Sequence, residues 1–187
     1  VLVARHQSGR VVFVADALAE EMVRSLRARG LVCLAVRRGD GFRREGDEIA
    51  LDPVRREHFD MLLRAVPQGQ AALRIVYGWT HATGGPALDL AGVPAAIETG
   101  FHALVRLEQG MIEHVRGVPA SLLVLADDAF DVVGGGAVRP ERALAIGPAR
   151  TLFKEHPEFS SRFVSIASHA LDGVGRPRMA QVLIEEA

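Results

Sequence analysis

Apolar positions along the chain fall into short continuous runs, separated by stretches with helical spacing. Val11-Val12-Phe13-Val14-Ala15 is a β-branched and aromatic run and predicts a buried strand. Asp16 follows. Leu18, Met22, Val23 and Leu26 then recur on one helical face until Gly30 stops it. Residues 31–36 predict a second strand, broken at Gly39-Asp40-Gly41, and residues 42–51 form a polar excursion ending in Ile49-Ala50-Leu51. Asp52-Pro53 predicts a helix start, with Asp as the N-cap and Pro at the first position. Its apolar stripe is Phe59, Leu62, Leu63 and Val66, closed by Pro67 and Gly69.

The same alternation continues through the second half. Residues 73–79 predict a third strand, and residues 80–90 a loop. The longest helix is expected over 94–115, presenting Ile97, Phe101, Leu104, Val105, Glu108, Met111 and Ile112. Residues 122–126 form a fourth strand with Asp127 and Asp128 at its end, and a loop with Gly134-Gly135-Gly136 leads to a helix started by Pro140. A strand over 162–166 and a helix over 178–187 close the chain. Strands alternating with helices predict an α/β fold, a truncated Rossmann-like, mainly parallel sheet with helices on both faces. One domain is expected over 1–187.

Composition narrows the function classes. Apolar residues make up 49% and charged residues 24%, the balance of a globular protein. A formal net charge of -1 gives no field to draw the chain onto nucleic acid or an anionic membrane. The longest apolar stretches are strand-sized, far below the roughly 20 residues that span a bilayer. Residues 1–5 run directly into Gln7-Ser8-Gly9, so no signal peptide is expected, and the single cysteine, Cys33, lies in an apolar run and fits a reducing cytoplasm.

The chemistry expected of such a sheet is largely missing. Ligands bind beyond the C-terminal strand ends, and a dinucleotide site needs glycines in the first strand-to-helix turn. Here that turn reads Val14-Ala15-Asp16-Ala17-Leu18-Ala19-Glu20, without glycine and with acids that repel phosphate. No cofactor is therefore expected. Tyr77 is the sole tyrosine and His81, four residues on, stands where a Tyr-x-x-x-Lys pair would have lysine. The seven histidines lack metal-ligand spacing, so no metal is expected either. Asp16, His81, Asp127 and Asp128 are the residues that fall on the strand-end rim. Aspartates there often cap helices or hold loops.

The last third carries a resemblance. Residues 140–150, Pro-Glu-Arg-Ala-Leu-Ala-Ile-Gly-Pro-Ala-Arg, followed by Lys154-Glu155-His156-Pro157-Glu158, resemble a segment of ketoreductase domains of modular polyketide synthases. Phe42-Arg43, Ala50-Leu51-Asp52-Pro53, His58-Phe59 and Ile75-Val76-Tyr77-Gly78-Trp79 resemble that family's hairpin, following helix and third strand. The order of elements matches over roughly the whole chain. Such ketoreductases have a non-catalytic structural half and a catalytic half that binds NADPH, and the resemblance is to the structural half alone. It implies no catalytic or cofactor-binding residue in this chain. It also implies a scaffolding role in polyketide biosynthesis, partnered by the catalytic subdomain and other synthase domains, with acyl carrier protein only indirectly. In that family an N-terminal strand is exchanged between the halves, and residues 1–3 could be that strand. Two other readings stay open. One is a small stand-alone enzyme using Asp16, His81 and Asp127 or Asp128, and the other is an interaction or dimerisation module.

Overall fold

The computed structural model describes residues 9–66, 72–81, 88–131, 138–171 and 175–186. The exchanged strand expected at residues 1–3, the closing Pro67 and Gly69, and the Gly134-Gly135-Gly136 loop lie outside them. The strands are β1 (Gly9–Phe13), β2 (Cys33–Arg38), β3 (Arg43–Glu45), β4 (Glu48–Leu51), β5 (Leu73–Tyr77), β6 (Ala120–Asp127) and β7 (Phe159–Ile166). The helices are α1 (Ala17–Ala28), α2 (Arg56–Ala65), α3 (Val93–Ile97), α4 (Ala103–His114), α5 (Ile146–Glu155) and α6 (Gly175–Glu186).

The strands form one sheet in the order β3-β4-β2-β1-β5-β6-β7, parallel except for the β3–β4 pair. Alternation along each strand divides the core in two. Val11, Phe13, Leu34, Ile75, Tyr77 and Leu122 point to one face, where α2, α4 and α5 supply Phe59, Leu62, Leu104, Met111 and Leu152. Val12, Cys33, Ala35, Val76 and Leu123 point to the other, where α1 and α6 supply Leu18, Met22, Ala180 and Leu183. This is the Rossmann-like α/β sandwich expected from the alternating runs.

Several boundaries differ from the sequence expectation, each for a local reason. The polar excursion, which periodicity left without an element, is the hairpin that the family resemblance implies, β3–β4, turned at Gly46, whose φ of 61° suits glycine. Asp52 does not cap α2. Its Oδ1 accepts from Val54 N at 2.9 Å and its own N–H donates to His58 Nδ1 at 3.1 Å, so the chain makes a turn first and the helix starts at Arg56. The long helix contains a π-helical turn, Glu98–His102, between α3 and α4. Pro140 opens a 3₁₀ turn, Pro140–Ala145, that leads into α5. The last strand begins at Phe159 rather than 162, and α6 at Gly175 rather than 178.

The topology fixes where a ligand crevice would lie. From β1 the chain builds outward through β2 and β4, then returns to β5 on the opposite side of β1 and builds through β6 and β7. The reversal point lies between β1 and β5, whose last residues Phe13 and Tyr77 are in register. There the backbones approach closely. Gly78 N donates to Phe13 O at 3.1 Å, and a Cβ on Gly78 would lie 2.5 Å from that oxygen.

Candidate functional site

The turn after β1 delivers Asp16 to the N-terminus of α1 in extended backbone conformation, the geometry of an N-cap. Its Oδ1 accepts from Leu18 N and Ala19 N, both at 3.1 Å. These are the N–H groups that would otherwise face an anion at this helix end. The other carboxylate oxygen, Oδ2, lies 2.6 Å from His81 Nδ1, which the turn after β5 brings across the crevice. A carboxylate only accepts, so Nδ1 carries the proton. His81 is 1% exposed, and its Nε2 is buried without a hydrogen-bond partner among the described residues. Asp16 and His81, two of the four rim candidates, therefore converge at the switch point.

Asp127 and Asp128 do other work. Asp127 is fully buried, with Oδ1 3.3 Å from Arg142 Nε and Oδ2 3.7 Å from Arg139 Nε, so it holds the 3₁₀ turn and the segment before it against the end of β6. Asp128 adopts a φ of 47° and accepts from Ser168 N at 2.9 Å, tying β6 to the segment after β7. Both hold loops.

The surroundings of α1 are likewise occupied. Glu20 in its first turn pairs with Arg37 near the end of β2, and that contact holds its carboxyl below the usual range. Arg37 also reaches Glu48 at 3.3 Å. In nucleotide-binding sheets the end of the second strand recognises the ribose or its phosphate. Here its guanidinium is shared between two carboxylates of its own chain. The aromatic residues Tyr77 and Trp79 are core, packed with Phe13 and Phe59, and the Tyr77 hydroxyl donates to Thr99 O. Burial pushes the Tyr77 phenol far up. As a cluster that spacing rules do not catch, Asp60, Glu113 and His114 bring ligand-type atoms within 4.8 Å of one another. Arg56 bridges its two acids, at 3.4 Å from Asp60 and 2.9 Å from Glu113, and supplies the positive charge.

A family model described as "Beta-ketoacyl synthase-like, N-terminal" matches residues 10–183. The chain belongs to that family. No curated protein matches it in sequence. Among solved structures, a keto acid-selecting NRPS module with adenylation, ketoreductase and pseudo Asub parts superposes with a TM-score of 0.76 at 18% identity, covering 96% of this chain and 15% of that one. An N-terminal ketoreductase from the macrolactin assembly line gives 0.74 at 14% identity, covering 98% of this chain and 37% of that one. A Brucella ovis oxidoreductase of the short-chain dehydrogenase/reductase family, in complex with partially ordered NAD, gives 0.69 at 14% identity over 96% of this chain and 92% of its own. The family member thus shares the fold of short-chain dehydrogenases and of ketoreductase-containing synthase modules. It spans well under two thirds of the two synthase chains. The resemblance to ketoreductase structural subdomains read from the sequence agrees with both kinds of match.

Proposed function

We propose that this chain is a non-catalytic structural subdomain of a polyketide synthase, and that it supports a ketoreductase catalytic subdomain and neighbouring synthase domains. The observation that carries the reading is the Asp16 carboxylate on the first N–H groups of α1. In a sheet of this topology that position receives the cofactor's pyrophosphate. A carboxylate fixed there by two N–H groups and His81 both fills it and repels a second anion. The family match and the fold of the synthase ketoreductases support the context. Reduction of a β-ketoacyl thioester, where it occurs, then uses residues of the partner subdomain.

The test is to express the chain with and without the catalytic subdomain of a ketoreductase from the same synthase. Scaffolding predicts co-purification of the two pieces, with NADPH binding and thermal stabilisation only in the pair. Saturable micromolar NADPH binding by the chain alone, or failure of the pieces to associate, refutes it. A stand-alone enzyme is the second reading, favoured by the 2.6 Å Asp16–His81 contact, which has the geometry of a base with its orienting carboxylate. The buried Nε2 of His81 weighs against it, because a general base must reach the proton it takes.

A further inference from the structure

One buried acid has no role in the strand-end crevice. Glu108 lies midway along α4, 7% exposed, and its Oε1 is buried without a hydrogen-bond partner among the described residues. The inward face of α4 is Leu104, Leu107 and Met111. Glu108 lies instead on a second stripe with Phe101, Val105 and Ile112, spaced by four, three and four residues. That spacing makes one continuous seam along a helix. The three apolar members are half-buried. Beside the seam α5 contributes Pro148, Thr151 and Leu152, and the groove between the helices has a volume of about 400 Å³. Its lining includes Glu108 and Glu155, with His156, and no arginine or lysine.

We propose that the groove between α4 and α5 receives an amphipathic helix of a neighbouring synthase domain, which places an arginine or lysine against Glu108. This rests on the scaffolding reading and names the surface that performs it. Three observations select this occupant. The seam has the period that a helix partner matches, a buried carboxyl is costly until a donor reaches it, and both acids of the groove lack a cation from their own walls. A second copy of this chain meeting it groove to groove would bring the same carboxyls and no arginine or lysine, so that symmetric contact does not complement the groove.

The docked cation also has a proton signature. Burial pushes the Glu108 carboxyl up to about 8, so at pH 7 it carries its proton. A cation beside it favours the ionised form and drives that proton off. The other titratable groups near it are Glu155 and His156 across the groove and Tyr77 on the sheet side.

The experiment uses two synthetic amphipathic helical peptides with leucines in heptad spacing, one with a central arginine and one with norleucine there. Binding to the chain is measured by calorimetry at pH 7 in buffers of different ionisation enthalpy. Amide NMR shifts of Phe101, Val105 and Ile112 locate the site. The arginine peptide is expected to bind at least about ten-fold tighter than the norleucine peptide, the scale of a desolvated charge pair, and to release close to one proton. Glu108→Gln should remove both the preference and the proton release. Equal binding of the two peptides, no proton release, or no shift along the seam at millimolar peptide overturns the proposal. The wild-type proton count stands whether or not the variant folds. A failure here with the catalytic subdomain still co-purifying removes only this groove, whereas loss of co-purification removes the scaffolding reading itself.

Discussion

Replacing Asp16 by alanine removes two things at once, and their magnitudes separate. The first is the N-cap of α1, whose loss costs about 1 kcal/mol within a range of about 0.5–2. The second is the acceptor for His81 Nδ1–H, which leaves a donor buried without a partner at a cost of about 1–3 kcal/mol. Asp16→Ala should therefore destabilise the chain by about 2–4 kcal/mol. Asp16→Asn keeps a side-chain oxygen for Leu18 N and Ala19 N, and asparagine caps as well as aspartate, so only the contact with His81 suffers. Its loss should be about half as large. Urea unfolding followed by circular dichroism reads both, and the slope should stay that of the wild type. In a chain of this size each kcal/mol moves the melting temperature by about 2–4 °C. A double-mutant cycle with His81→Ala isolates the pair, and a coupling above about 1 kcal/mol is expected. No loss for Asp16→Asn, or a coupling near zero, would show that the carboxylate serves the helix alone.

The remaining expectations are local. Gly78→Ala puts a methyl 2.5 Å from Phe13 O, a backbone atom that cannot swing aside, so the strand ends must part and about 1–3 kcal/mol of stability is lost on thermal melting. Cys33 is fully buried, and burial pushes its thiol up to about 11. At pH 8 it should resist iodoacetamide in the native chain and react on unfolding, and rapid native alkylation would contradict its place in the core. The Glu108 carboxyl holds its proton more tightly folded than unfolded, because its value rises from 4.5 to about 8. The unfolded chain thus binds fewer protons between those values, and stability should be greatest near pH 4.5 and fall as pH rises toward 8. Glu108→Gln should flatten that slope and stabilise the chain at pH 8 by up to about 4 kcal/mol. An unchanged pH profile would place the carboxyl in water.

What was legible in the sequence follows from which forces are local. The α1 stripe and its cap at Asp16 could be read directly, because one-sided burial at period 3.6 and a capping carboxylate both act within a few residues. The alternating runs gave the parallel sheet for the same reason. The β3–β4 hairpin was hidden from periodicity, since all of β3 is exposed and carries no apolar face, and only the family resemblance at Phe42-Arg43 pointed to it. The start of α2 was misplaced because the Asp-Pro signal also serves a turn, and His58 stabilises that turn from six residues on. The Asp16–His81 contact spans 65 residues and exists only because β1 and β5 are neighbours, which no local pattern states. Glu108 was visible as a member of the long helix. Its isolation was not, because that depends on where α5 packs.

The carboxyl groups of Asp16 and Glu108 meet opposite fates, and the difference bears on function. Asp16 sits where sheets of this topology ordinarily leave N–H groups free for a ligand, and it satisfies them from within, together with His81. Evicting that carboxylate for a phosphate would forfeit the cap and the histidine contact while returning no more hydrogen bonds to the helix than were lost. The crevice is thus stabilised in its filled form. Glu108 sits on a helix flank, and its buried Oε1 has no hydrogen-bond partner among the described residues. Unsatisfied buried polar groups persist in folded proteins when something outside the chain answers them or when a role demands the strain. His81 Nε2 in the crevice also lacks a partner among the described residues, but His81 is 1% exposed. Glu108 instead lines a groove that an incoming side chain can enter, so the flank is the surface on which the scaffolding reading is tested.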